Sequence, residues 1–169
     1  MKLLLALFVP ALFTVYTATS YVPTDDYSVK FATQKAEGTF SGLGGTIRFA
    51  ADDLAGSRFD VFVETASIKT GNTAKDKHAR GSAWLNAGDH PRITFRSSNF
   101  TKTATGNTVN GALTINGQTR TVALPFTFTD QVFSGELTVN RADYGIDGPF
   151  LFGGLVGDDI VVSLRIPVK

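Results

Sequence analysis

Residues 107–129 read NTVNGALTINGQTRTVALPFTFT, and this stretch decides the fold. Apolar side chains occupy every second position over 109–115 and again over 122–128, which is typical of two strands with one buried face each. Between them, Asn116-Gly117 is the residue pair that a type I′ turn prefers, because both central positions of that turn adopt positive φ. The stretch therefore predicts an antiparallel β-hairpin.

The same two-residue period recurs along most of the chain. Further alternating runs lie at residues 29–31, 47–49, 59–63, 93–95, 133–139 and 160–168, with turn-forming residues at 52–56, 106–107 and 129–131. The glycine of Asn110-Gly111 lies inside an alternating run and indicates a bend or bulge. About eight strands with short connections predict an all-β antiparallel barrel or sandwich. Because the strands are apolar on one face only, they favour a barrel with an apolar interior.

The first twenty residues have the pattern of a secretory signal peptide. Lys2 gives a positive start, residues 3–15 are nearly all apolar, and Ala18-Thr19-Ser20 places small residues before a predicted cleavage after Ser20. The apolar run is shorter than the about 20 residues that a spanning helix needs. The sequence therefore predicts a signal peptide over 1–20, a mature domain over 21–169, and a periplasmic or secreted location.

The composition of the chain excludes several classes of function. Its 16 Lys and Arg residues nearly balance 15 Asp and Glu residues, and no basic tract is visible, so nucleic acid is not an expected partner. No second apolar run of about 20 residues occurs, so no stable membrane span is expected. The lack of cysteine excludes thiol catalysis and thiolate metal sites.

Residues 70–91 lose the strand period. Thr73 is a candidate N-cap there, so we expect a short helical segment near residues 73–86 that covers an end of the sheet. His78 and His90, with Asp76 and Asp89 nearby, lack the close helical spacing that makes a metal site specific.

Enzyme motifs are missing from the sequence as well. Neither a Gly-x-Ser-x-Gly elbow nor a phosphate-binding Gly-Lys-Ser/Thr loop occurs. We therefore expect no enzyme activity, no cofactor and no metal.

The barrel interior is the remaining candidate site. An eight-stranded barrel is just wide enough to be filled by side chains or to hold one small ligand. Fourteen phenylalanines are enough to fill it, so composition leaves both alternatives open. The loop 148–157 (GPFLFGGLVG) is too apolar for an ordinary exposed loop. It either plugs the barrel mouth or meets an apolar ligand there.

Several motifs, taken in order and spacing, resemble the YceI-like family of exported, lipocalin-like proteins associated with binding polyisoprenoid lipids. The resemblance covers about residues 27–168. It rests on Tyr27–Phe31 with Gly38–Gly42, Ser67–Thr70, Asp76–His78, Trp84-Leu85 with Pro91–Phe95, Val109–Gly117, Arg141–Ile146 and Val156–Asp159. Lys75, Ala79 and the Trp84-Leu85 pair depart from the family pattern. These departures lie in the helical segment, so they bear on the ligand rather than on the barrel.

The resemblance implies an extended eight-stranded antiparallel barrel with a long apolar tunnel. Its function would be that of an exported carrier or reservoir for a long prenyl chain, polyisoprenoid or quinone-like, or for another amphiphilic lipid. The candidate lining residues are Phe31, Phe49, Phe59, Val61, Val63, Phe95, Leu113, Leu124, Phe126, Leu137 and Val139. Trp84 and Phe152 are candidates for guarding an end, and His78 and Arg80 for contacting a polar headgroup.

Two other interpretations stay open. A barrel filled by its own side chains would be a periplasmic stress or interaction protein without a small-molecule ligand. A lipocalin-like enzyme would use His78 and Asp76. The sequence also leaves a homodimer open.

Overall fold

The computed structural model describes residues 17–147 and 157–169 of the chain. Within these ranges it contains ten β-strands, one α-helix and three short 3₁₀ helices. The strands are β1 Thr19–Tyr21, β2 Ser28–Ala32, β3 Glu37–Phe40, β4 Gly44–Phe49, β5 Arg58–Glu64, β6 Arg92–Lys102, β7 Asn107–Ile115, β8 Gln118–Thr129, β9 Val132–Asn140 and β10 Asp159–Pro167. The helix α1 is Thr73–Arg80, and the 3₁₀ helices are Leu54–Gly56, Thr65–Ser67 and Arg141–Tyr144.

All ten strands form one curled antiparallel sheet, in the order β1-β4-β5-β6-β7-β8-β9-β10-β2-β3. Two sets of backbone hydrogen bonds join the two edges of this sheet to residues outside the ten strands. Just beyond β1, Val22 and Lys169 exchange two bonds of 3.0 Å, and in β3 Thr39 exchanges bonds of 2.9 and 3.0 Å with Lys69. These bonds satisfy edge groups that would otherwise be unpaired. The predicted all-β antiparallel architecture is confirmed.

Residues 17–147 and 157–169 contain ten strands and not the predicted eight. The two additional strands, β1 and β3, have three and four residues, which is too short for an alternating period to be visible. In β1, Thr19 and Ser20 pair with Phe49 and Arg48. The cleavage position predicted after Ser20 therefore falls inside a strand of this structure.

The predicted hairpin is present with its predicted turn. Asn116 and Gly117 have φ values of 48° and 72° and join β7 to β8, with Ile115 opposite Gln118. Asp130 and Gln131 make the turn between β8 and β9 with positive φ values of 51° and 58°, although neither is glycine.

The irregularity predicted at Asn110-Gly111 lies in the opposite strand. The register of β6 against β7 shifts between Ser97 and Asn99, directly across from that pair. A Cβ atom on Gly111 would lie 2.5 Å from the Arg96 carbonyl oxygen. Glycine is therefore required where the bulged strand approaches this closely.

The helical segment is shorter than predicted, and its cap is a different residue. Asn72, not Thr73, caps α1: its side-chain oxygen accepts a hydrogen bond from the Lys75 amide at 3.0 Å. The helix ends at Arg80 and turns follow over 82–85, so only the first part of the predicted 73–86 segment is helical.

Buried apolar side chains form two clusters at different heights along the strands. In β7, Val109 belongs to one cluster and Ile115 to the other; in β9, Phe133 and Val139 are divided in the same way. The two residues in each of these strands are six positions apart, so the clusters are separated by about 20 Å along the strands. We call the cluster around Phe133 the phenylalanine end and the cluster around Val139, which includes residues next to α1, the helix end.

Candidate functional site

Interlocking aromatic rings fill the phenylalanine end. Six of its rings are those of Phe49, Phe59, Phe100, Phe126, Phe128 and Phe133. Phe49 is 1% exposed and contacts all five others, with ring centroids 5.5 to 6.4 Å away. Most of these contacts are edge-on or tilted, the geometry that aromatic pairs prefer. This end is occupied by the protein's own side chains.

A row of six apolar side chains lies between the two ends. We call it the inner row: Val61, Phe95 and Leu113 on β5, β6 and β7, and Leu137, Val162 and Phe31 on β9, β10 and β2. Each triplet is in direct register, and directly opposed residues of antiparallel strands share a face. All six pack against the buried clusters, so they face the interior.

All six residues of the inner row are only partly buried, whereas the residues that form the centre of each cluster are buried. A core packed to normal density would bury inward apolar side chains completely. The remaining exposure indicates interior space that a water-sized molecule reaches. The middle of the barrel is therefore the best candidate for a ligand site.

Two glycines let inner-row rings lie flat against the wall. A Cβ atom on Gly111 would lie 2.6 Å from Cζ of Phe95, so that ring covers the inward side of Gly111. Phe31 covers Gly38 in the same way, at 2.7 Å. Rings held against the backbone occupy less of the interior than rings that cross it. Phe31 and Phe95 therefore line the space rather than fill it.

The helix end combines apolar and polar burial. Its buried apolar residues are Ile68, Leu85, Ile115, Val139, Tyr144 and Ile146, with Trp84 half-buried beside them. The buried polar residues of the described part of the chain, Thr65, Asp76 and Arg141, lie on the connections at this end.

The structure divides the predicted lining residues into three groups. Phe49, Phe59, Leu124 and Phe126 are packed into the phenylalanine end, and Val139 into the helix end. Phe31, Val61, Phe95, Leu113 and Leu137 belong to the inner row. Val63 is buried, and Phe152 lies outside the described residues, as does most of the 148–157 loop.

The two headgroup candidates do not converge. His78 is exposed, whereas its neighbour Ala79 packs into the helix end. The Arg80 guanidinium donates to the Ala66 carbonyl at 3.2 Å. Neighbouring positions on a helix point in different directions, so α1 turns His78 away from the interior.

Asp76 holds the start of α1 to the preceding turn. Its carboxylate accepts hydrogen bonds of 2.7 Å from both the hydroxyl and the backbone amide of Thr70, and Lys69 Nζ lies 3.9 Å away. The Thr70 hydrogen bonds, reinforced by the charge of Lys69, keep the pKa of Asp76 below its ordinary value. Asp76 therefore has a structural role, which its position near His78 in the sequence does not predict.

Arg141 joins the two stretches of chain, called stems below, that flank residues 148–156. Its guanidinium donates to the carbonyls of Ile146 and Asp147 on one stem, at 2.6 and 2.9 Å. On the other stem it donates to the Gly157 carbonyl at 2.8 Å and to the Asp158 carboxylate at 2.9 Å. The side chain is 8% exposed. The Arg141–Ile146 motif contains this arginine, but the sequence alone does not predict its role.

The described residues contain no cluster of three or more His, Cys, Asp or Glu side chains arranged to hold a metal. In the same part of the chain, no helix has the length and apolar character needed to cross a bilayer.

Residues 13–168 match the family description "YceI-like domain". Among curated proteins, a UPF0312 protein of Yersinia enterocolitica is 37% identical over 94 residues, which is 56% of this chain and 49% of the relative. A UPF0312 protein of Yersinia pestis is 35% identical over the same shares. The aligned region thus spans about half the length of these relatives.

Solved structures share the fold. BcnA of Burkholderia cenocepacia has a TM-score of 0.79 at 23% identity, covering 85% of this chain and 96% of its own. A polyisoprenoid binding domain from Saccharophagus degradans, described as implicated in plant cell wall breakdown, has a TM-score of 0.58 at 11% identity. It covers 89% of this chain and 93% of its own.

Proposed function

Because the chain belongs to the YceI-like family, we propose that it holds the apolar chain of a lipid in its barrel interior. The ligand is a long prenyl chain, polyisoprenoid or quinone-like, or another amphiphilic lipid. The name of the Saccharophagus degradans domain supports this ligand class. The protein acts as a carrier or reservoir in the periplasm or outside the cell, and it binds without catalysing a reaction.

The inner row is the observation that carries this proposal. Its six side chains are apolar, face inward and are incompletely buried. An apolar chain bound against them removes their remaining apolar surface from water, which is favourable. Each buried carbon contributes about 0.8 kcal/mol, and the cost of association is about 4–15 kcal/mol. A chain of a few isoprene units therefore binds through burial alone.

The phenylalanine end limits how deep the chain reaches. Because Phe49 and its neighbours already occupy that part of the barrel, the apolar tail ends above them. The chain then lies along Val61, Phe95 and Leu113 on one side and along Leu137, Val162 and Phe31 on the other.

Mass spectrometry of an organic extract from natively purified full-length protein tests the proposal. We expect one prenyl or other long-chain lipid per protein. Leu137→Trp, which fills the space between the ends, should lower this ratio, whereas Thr138→Trp on the exposed face of the same strand should not.

Other outcomes identify the alternatives. A folded protein with a consistently empty extract contradicts the proposal and favours a filled barrel that acts as a stress or interaction protein. Turnover of a lipid that is lost in His78→Ala favours an enzyme. The mass of the native protein in solution tests for a homodimer.

A further inference from the structure

Arg120 is a charged residue on the inner face of the wall. It lies directly opposite Leu113 in the register of β7 and β8, so the two side chains leave the sheet on the same side. Leu113 belongs to the inner row. Arg120 is nevertheless exposed, and its Nη1 donates to the adjacent Thr119 carbonyl at 2.9 Å. In the described part of the chain, no ion pair includes it.

The wall is split beside Arg120. β8 and β9 pair only where Phe126–Thr129 meets Val132–Gly135, although β8 begins at Gln118 and β9 continues to Asn140. Pro125 is the first residue of β8 beyond the paired stretch, and it has no N–H to continue the ladder. Across residues 17–147 and 157–169, no strand pairs with β8 on this side before Phe126.

The 3₁₀ helix Arg141–Tyr144 covers the part of the split nearest the helix end. It contacts β8, and the Asn116 side chain donates to the carbonyls of Tyr144 and Gly145 at 3.3 Å. The Tyr144 ring is 2% exposed. Burial and the negative charge of the adjacent Asp143 raise the pKa of its phenol, and the nearby positive charge of Arg120 opposes that rise. The guanidinium therefore lies where the buried helix end meets solvent.

We propose that Arg120 binds an anionic, phosphate-type headgroup of the lipid at the β8–β9 split. The inference rests on the proposed function, because the lipid chain must lie along the inner row for its polar end to reach this position. A guanidinium suits phosphate oxygens, to which it donates two parallel hydrogen bonds. This assignment differs from the sequence-based candidates His78 and Arg80, which lie on α1 and not directly opposite a residue of the inner row.

Binding of farnesol and farnesyl phosphate to the full-length protein tests the assignment. For the wild type, we expect the phosphate to bind about tenfold more tightly than the alcohol, as a charged hydrogen-bonded pair allows. Arg120→Gln should abolish this difference by weakening the binding of farnesyl phosphate about tenfold. The matched control is Arg48→Gln, an exposed arginine on β4 at a position that alternates with inward Ile47 and Phe49. It should keep the tenfold difference.

The possible failures are distinguishable. If the wild type binds the alcohol and the phosphate equally, or if Arg120→Gln keeps the difference, the headgroup assignment is wrong while lipid binding stands. A difference lost in Arg80→Gln alone moves the headgroup to the helical segment. Inorganic phosphate that binds as tightly as farnesyl phosphate indicates a free-anion site instead. A wild type that binds neither lipid refutes the proposed function itself.

Discussion

The two ends of the barrel are stabilised by different interactions. The phenylalanine end consists of aromatic and aliphatic side chains, with Phe49 touching five other rings. At the helix end, an apolar cluster is joined to connections that depend on Asp76 and Arg141 and on the hydrogen bonds these charges make. The stability of the phenylalanine end depends on how well its apolar side chains pack. The stability of the helix end also depends on hydrogen-bond partners for each buried charge.

This difference bears on how a ligand enters. Aromatic packing responds little to pH, whereas a charged hydrogen-bond network weakens when a member changes its charge. Elements that open locally come from the less stable parts of a fold. We therefore expect α1 and the 3₁₀ helix Arg141–Tyr144 to open more readily than the phenylalanine end.

The strongest test of this contrast is Phe126→Asp. Phe126 is buried among the rings of the phenylalanine end, so the substitution buries a carboxylate with no partner. We expect the protein not to fold, or to fold without retaining lipid, as measured by circular dichroism and by extraction. Thr127→Asp, at the exposed neighbouring position, is the control and should fold normally. Normal stability and normal lipid content in Phe126→Asp would show that the face assignment is wrong.

A substitution with a smaller effect distinguishes the side chains that fill the phenylalanine end from those that line the interior space. Phe49→Ala should cost about 3–5 kcal/mol of unfolding free energy, because it leaves a cavity among five rings. Phe95→Ala should cost less, since that ring is already partly exposed, but it should change lipid affinity more. Urea unfolding and lipid titration of both variants measure the two quantities. Equal stability losses would remove the distinction between the inner row and the phenylalanine end.

Strand alternation was enough to predict which side chains face inward. Phe49, Phe95 and Phe126 all do, as the two-residue period indicates. The period could not separate filling from lining, because that depends on the neighbouring strand: Phe95 lies over Gly111, whereas Phe126 meets other rings. Which strands pair is a tertiary property, and the alternating pattern of one strand does not reveal it.

The helix end was less predictable for a physical reason. Arg141 bonds to backbone carbonyls at Ile146, Asp147 and Gly157, and any residue supplies a carbonyl. The inward position of Arg120 could have been predicted from the sequence. Arg120 lies two positions before Val122, so extending that alternating run towards the N-terminus places it on the inner face. The split beside it depends on β9 diverging, which alternation does not reveal.

The smallest predicted effect is an acid transition confined to the helix end. Because the Thr70 hydrogen bonds lower the folded-state pKa of Asp76, its ionised form stabilises the fold above its unfolded pKa of about 3.9. That stabilisation is lost as the pH falls through the lower folded pKa. Trp84, the chain's one tryptophan, is at the helix end and reports the change by fluorescence. Asp76→Asn should remove the transition and weaken the helix end at neutral pH, while Asp26→Asn, an exposed carboxylate, should leave both unchanged. If the phenylalanine end melted at the same pH, the two ends would be one cooperative unit and the contrast between them would fail.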